Sequence, residues 1–89
     1  MKPKNIEAKY LQFCYISRSK SKKTYIWSVI NKKGTYSIGS IQWHGPFRCY
    51  AFFPECNTIY DHKCLKDIAK MCEEFTIGHN VLLKGSNYE

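Results

Sequence analysis

Apolar and polar positions alternate most regularly between Ile38 and Pro54, where two apolar runs flank His44-Gly45-Pro46. Adjacent Gly and Pro punctuate turns, so the pattern predicts a β-hairpin. With a three-residue loop, Trp43 faces Phe47, Ile41 faces Cys49, and Gly39 faces Ala51. The opposite side then pairs Gln42 with Arg48, Ser40 with Tyr50, and Ile38 with Phe52. The first set is wholly small or apolar and reads as a core. The second mixes aromatics with an arginine and polar groups, and is either an open binding surface or a second packed face. A one-residue slip would mix the two sets, which argues for this register.

The alternation extends upstream. Residues 10–16 and 24–30 are aromatic and β-branched runs that read as strands, and residues 36–43 and 47–53 form the hairpin arms. Trp27 is expected to lie across from Gly39, covering its bare backbone, and Pro54 to end the last strand. Residues 1–9 read as a loose start. Downstream the period changes. Asp61 has the character of a helix N-cap, and Tyr60 and Leu65 have the spacing of a hydrophobic staple. Cys64, Leu65, Ile68, Cys72 and Phe75 then recur at helical spacing, predicting an amphipathic helix that ends near Thr76 or Gly78. A short strand or draped segment is expected over 80–84, and a mobile tail over 85–89. The expected fold is α+β: one domain over 1–89 with an ordered core at about 10–84. An antiparallel meander of three to four strands carries one helix, in the C-terminal half of the chain, on one face.

Composition narrows the function. Fourteen Lys and Arg against seven Asp and Glu give a net charge of +7, which excludes an acidic mimic of DNA and suits a polyanion or an acidic protein surface. Arg18, Lys20, Lys22 and Lys23 crowd one connection, and Lys32 and Lys33 another; clustered cations of this kind release counterions on meeting a phosphate backbone. No apolar run approaches the ~20 residues of a membrane span, and Met1-Lys2-Pro3-Lys4 leads into no apolar signal region. A cytoplasmic protein in a bacterial host cell, without membrane contact, is expected. The five cysteines contain no CxxC pair and read as free thiols. A metal site drawn from Cys49, Cys56, His62 and Cys64 lacks the tight ligand pairs zinc prefers. The three histidines have no partner implied by spacing, and no nucleophile elbow, P-loop or dinucleotide fingerprint occurs. The expectation is a non-enzyme with neither metal nor cofactor.

Binding is the better-supported class. If the helix covers one sheet face, the other presents Arg48, Tyr50 and Phe52 on one strand, with Gln42 beside them. Aromatics at alternate strand positions beside a cation make a stacking platform for unpaired bases. The string from Arg48 to Phe53 resembles the RNP1 element of RNA-recognition motifs, departing from it at Cys49, where glycine is usual. A broader resemblance rests on G-x-I-x-W, then G-P-F-R-x-Y-x-F-F-P, then C-L-x-D-I on a helix, from about Thr24 to Phe75. This order resembles a family of short bacterial, prophage and phage proteins, with Phe47 standing where tryptophan is common. The resemblance implies a small accessory protein of a mobile element and transfers no catalytic residue. Three readings follow. One is a nucleic-acid binder using Arg48, Tyr50, Phe52 and the lysine loops. Another is an inhibitor that plugs a host or antiphage-defence enzyme through the same aromatics. The last is a structural homodimer formed through the open face or an edge strand.

Overall fold

In the computed structural model the alternation resolves into five strands: β1 (Ile6–Glu7), β2 (Leu11–Arg18), β3 (Tyr25–Asn31), β4 (Tyr36–His44) and β5 (Cys49–Pro54). They form one antiparallel sheet in chain order. The helix α1 (His62–Tyr88) lies on one face, chiefly over β5. The structure describes the backbone of residues 3–34 and 36–88, and side chains in that span as far as residue 80. The α+β class is as expected. The extra strand is β1, formed within the segment that read as a loose start, where Ile6 pairs with Phe13.

The central hairpin has a different register from the expected one. Its connection is four residues long: Gly45–Phe47 form a 3₁₀ turn and Arg48 takes a left-handed conformation with φ 54°. The Arg48 amide closes the turn by donating to the Gly45 carbonyl at 3.0 Å. The cause is Pro46. Its fixed φ suits the start of a helical turn, so the reversal begins at Gly-Pro and needs Phe47 and Arg48 to complete it. Trp43 therefore faces Tyr50, Ile41 faces Phe52, Gln42 faces Ala51, and Ser40 faces Phe53. Relative to the expected pairing, β5 is displaced by three residues. An odd displacement sends every β5 side chain to the other face.

Tyr50, 5% exposed, is thus core, and Phe52 packs half-buried against it, while Phe47, expected inside, is 72% exposed. The stacking platform of Arg48, Tyr50 and Phe52 does not exist on the open face.

The covered face assembles Leu11, Phe13, Trp27, Val29, Ile38, Ile41 and Tyr50 beneath Ile68 and Met71 of α1. A bulge in β4 interrupts the β3 pairing at Val29/Ile30, and both Ile38 and Gly39 are buried there. Trp27 faces Ile41, so it does not cover Gly39, which faces Val29. The glycine instead admits the neighbouring strand. A Cβ at that position would sit 2.5 Å from the Phe53 carbonyl oxygen and 2.7 Å from the Phe52 ring.

Asp61 caps α1 as expected, its carboxylate accepting the Cys64 N–H at 2.9 Å. That bond is the main cause holding the Asp61 carboxyl below its usual range. The staple is not formed: Leu65 is half exposed. Tyr60 instead packs edge-on against Phe52 and donates its hydroxyl to the Ile38 carbonyl at 2.7 Å. Phe75 stacks on Trp27 with centroids 4.5 Å apart. At the sheet edge the Tyr50 amide, which points away from β4, donates to the Thr76 hydroxyl at 2.9 Å. That hydroxyl in turn donates to the Cys72 carbonyl at 2.7 Å. The helix does not stop at Thr76 or Gly78. No proline follows to break it, and each of its glycines, Gly78 and Gly85, costs only about 1 kcal/mol against alanine. The expected strand over 80–84 and tail from 85 are helical backbone as far as Tyr88, and Glu89 lies outside the described residues.

Candidate functional site

Antiparallel order divides the expected cationic residues between two ends of the sheet. The β2–β3 connection and the turn after β4 share one end, which holds Arg18, Lys20, Lys22, Lys23 and Arg48, all exposed. This connection is a built structure despite its polarity. The Ser19 amide donates to the Thr24 carbonyl at 2.8 Å and the Lys22 amide to the Ser19 carbonyl at 2.9 Å. The Thr24 hydroxyl, on a residue only 6% exposed, donates to Ser19 Oγ at 2.8 Å. Small hydroxyls thus fold the loop inward on itself and leave its three lysines facing solvent.

The other end gathers Lys32 and Lys33 with residues that sequence reasoning missed. The exposed ring of Tyr10 has Lys9 Nζ 5.4 Å and Lys63 Nζ 5.8 Å from its centroid, both within cation–π range. Lys9, Tyr10, Lys32, Lys33 and Lys63 line one concavity of about 490 Å³ with Asn31, Asp61 and Cys64. The Lys32 amide donates to the Tyr10 carbonyl at 3.2 Å, which fixes the β3–β4 connection beside the ring. Both nearby acids are engaged. Glu7 pairs with Lys32 at 2.9 Å and Asp61 caps the helix. Nothing in the spacing links Lys9, Lys33 and Lys63. The sheet order and the return of the chain to start α1 bring them together, and the adjacent Lys9-Tyr10 pair was the one local signal.

Between the ends lies the uncovered face. Gln12, Cys14, Ile26, Ser28, Ile30, Ser40, Gln42, Ala51 and Phe53 share it by register, and none is buried. Gln42 lies on this face opposite Ala51, not opposite Arg48, and donates to Ser40 Oγ at 2.9 Å. None of these nine residues carries a charge; Glu7, paired with Gln12 at the edge of the same face, has its carboxylate 2.9 Å from the Lys32 ammonium. The cysteines are thiols. Burial, with Cys49 nearby, pushes the Cys72 thiol up to about 11, which keeps it protonated and a poor nucleophile. Among the described residues no three His, Cys, Asp or Glu side chains gather as a metal-holding group, and no helix is long and apolar enough to cross a membrane.

The chain is 42% identical over 59 residues to the "Uncharacterized 9.3 kDa protein" of Acholeplasma phage L2, an alignment covering 66% of this chain and 74% of that protein. It belongs to the family of that phage protein. No protein-family model and no solved structure matches the chain. Membership in this phage-protein family sets the context for the two charged ends and the uncovered face between them.

Proposed function

We propose that the protein is a small, non-enzymatic, phage-type accessory protein of the host cytoplasm that binds nucleic acid through its two lysine-lined ends. The observation that supports this most directly is the convergence of Lys9, Lys32, Lys33 and Lys63, from separate stretches of the chain, around the exposed ring of Tyr10. Lysines already held over an aromatic face lose less freedom on meeting a phosphate, and the ring offers a surface on which an unpaired base stacks. Arg18, Lys20, Lys22, Lys23 and Arg48 hold phosphates at the opposite end. The face between them, with Gln12, Ser28, Ser40 and Gln42 and its one carboxylate, Glu7, paired with Lys32, is compatible with a polyanion lying along it. Tyr50 and Phe52 have no part in this reading.

The test is an anisotropy titration of short single- and double-stranded DNA and RNA across a range of salt. Binding should persist at physiological salt, and Lys33→Ala and Lys63→Ala should each reduce the salt slope by about 1. Tyr10→Leu should remove any preference for single strands. If the lysine variants bind like the parent, or binding vanishes at physiological salt, the charge is generic and this reading fails.

A further inference from the structure

A second site of different character lies between α1 and the sheet, at the end that carries the 19–24 loop. There a cavity of about 430 Å³ opens between β3 and the helix, within the usual range for small-molecule sites. Its lining is aromatic: Trp27 and Tyr50 are buried, and Tyr25 and Phe75 are half-buried. Three observations point to a ligand.

The first is Gly78, which lines the cavity from well inside the helix. Glycine is among the least favourable residues in a helix interior, so packing usually explains its presence. No packing demand exists here, because a Cβ at Gly78 would meet nothing within 4 Å. The glycine presents bare, exposed backbone to the cavity mouth.

The second is the Tyr50 hydroxyl. Its oxygen accepts the Tyr25 amide at 3.1 Å, while its own hydrogen is given to no acceptor among the described residues. Burial raises the Tyr50 pKa, so that hydrogen is retained. A donor on a side chain this deeply buried ordinarily finds a partner.

The third is the charge in the lining, where the exposed side chains of Lys23 and Glu74 accompany the aromatic ones, Glu74 also lying 4.0 Å from Lys70. A flat heteroaromatic ring fits the walls, a ring nitrogen or carbonyl accepts from Tyr50, and an exocyclic amino group suits Glu74. A phosphate on the same molecule suits Lys23.

We infer that the cavity walled by Tyr25, Trp27, Phe75 and Gly78 is a binding site for an amino-bearing nucleobase carrying a phosphate, as a free nucleotide or an unpaired residue of a strand. The inference shares Lys23 with the proposed nucleic-acid surface but no residue with the lysine cluster around Tyr10, which lies at the opposite end of the sheet.

The experiment is an NMR titration of the intact protein with AMP, adenosine, ribose 5-phosphate and a short oligo(dA), following Tyr25, the Trp27 indole and Phe75. AMP should shift these signals saturably, adenosine more weakly, and ribose 5-phosphate hardly at all. A response to oligo(dA) that exceeds the response to AMP identifies the strand as the source, and the reverse identifies the free nucleotide. Gly78→Leu fills the opening with a good helix former and should lower affinity for AMP by at least about tenfold while circular dichroism melting is retained. Lys23→Ala should weaken AMP towards the level of adenosine and leave adenosine unchanged. No saturable shift with any base-bearing ligand, or AMP binding in Gly78→Leu equal to the parent, overturns the assignment. Oligonucleotide binding through Tyr10 and its lysines should survive Gly78→Leu, so the two proposals fail separately.

Discussion

The Thr76 hydroxyl accepts the Tyr50 amide at 2.9 Å, joining the helix to the exposed edge of the sheet by one hydrogen bond. Edge strands present unpaired amides that invite other strands, and here a side chain from α1 occupies one of them. The same hydroxyl donates back to Cys72, so a single oxygen satisfies two demands.

Thr76→Val keeps the shape and removes both bonds. It should destabilise the fold by about 1–3 kcal/mol, the cost of leaving a partly buried amide unpaired, whereas Thr76→Ser should recover most of the loss. Urea denaturation of the three proteins measures this.

Tyr50 supplies a second measurement, because the structure buries it in the core and not on the open face. Tyr50→Ala should cost about 3–5 kcal/mol as a core truncation, and Tyr50→Phe about 1 kcal/mol through the orphaned Tyr25 amide. A Tyr50→Ala protein with an unchanged denaturation midpoint would contradict the burial described here.

The class of fold, the β2-to-β5 meander, the Asp61 cap and most of the helix stripe were legible because periodicity reports which face a residue occupies. The turn was not legible at the same level. Whether Pro46 ends a loop or begins a turn changes its length by one residue and the pairing by three, and no local pattern distinguishes the two. The error passed directly to function, since it moved Tyr50 and Phe52 from the binding face to the core. The lysine loops were legible as charge. Their division between two ends, and the recruitment of Lys9, Tyr10 and Lys63, required the strand order.

Gly39 tests the close approach of β4 and β5. Gly39→Ala would force a Cβ against the Phe53 carbonyl oxygen, a backbone atom that cannot swing aside. The variant should lose at least about 2 kcal/mol by thermal or urea denaturation. Gly45→Ala, where nothing lies within 4 Å, serves as the control and should melt near the parent.

Asp61 gives a pH dependence whose sign follows from its cap. Its carboxyl is held below the usual value in the folded state, so its contribution is present above the unfolded value and lost as pH falls through the folded one. Stability should therefore decline from about pH 4 downward. Asp61→Asn, which caps without titrating, should remove that part of the decline. Denaturation midpoints across acidic pH check it.

Arg48 sits in a left-handed conformation that glycine or asparagine would adopt more comfortably. Two pressures therefore meet at one codon. Where the turn alone is under selection, relatives should drift to Gly or Asn at this position. Where the cation is needed, Arg or Lys should persist against the backbone's preference. The residue found here across the phage-protein family is thus a natural record of whether this end of the molecule meets a polyanion.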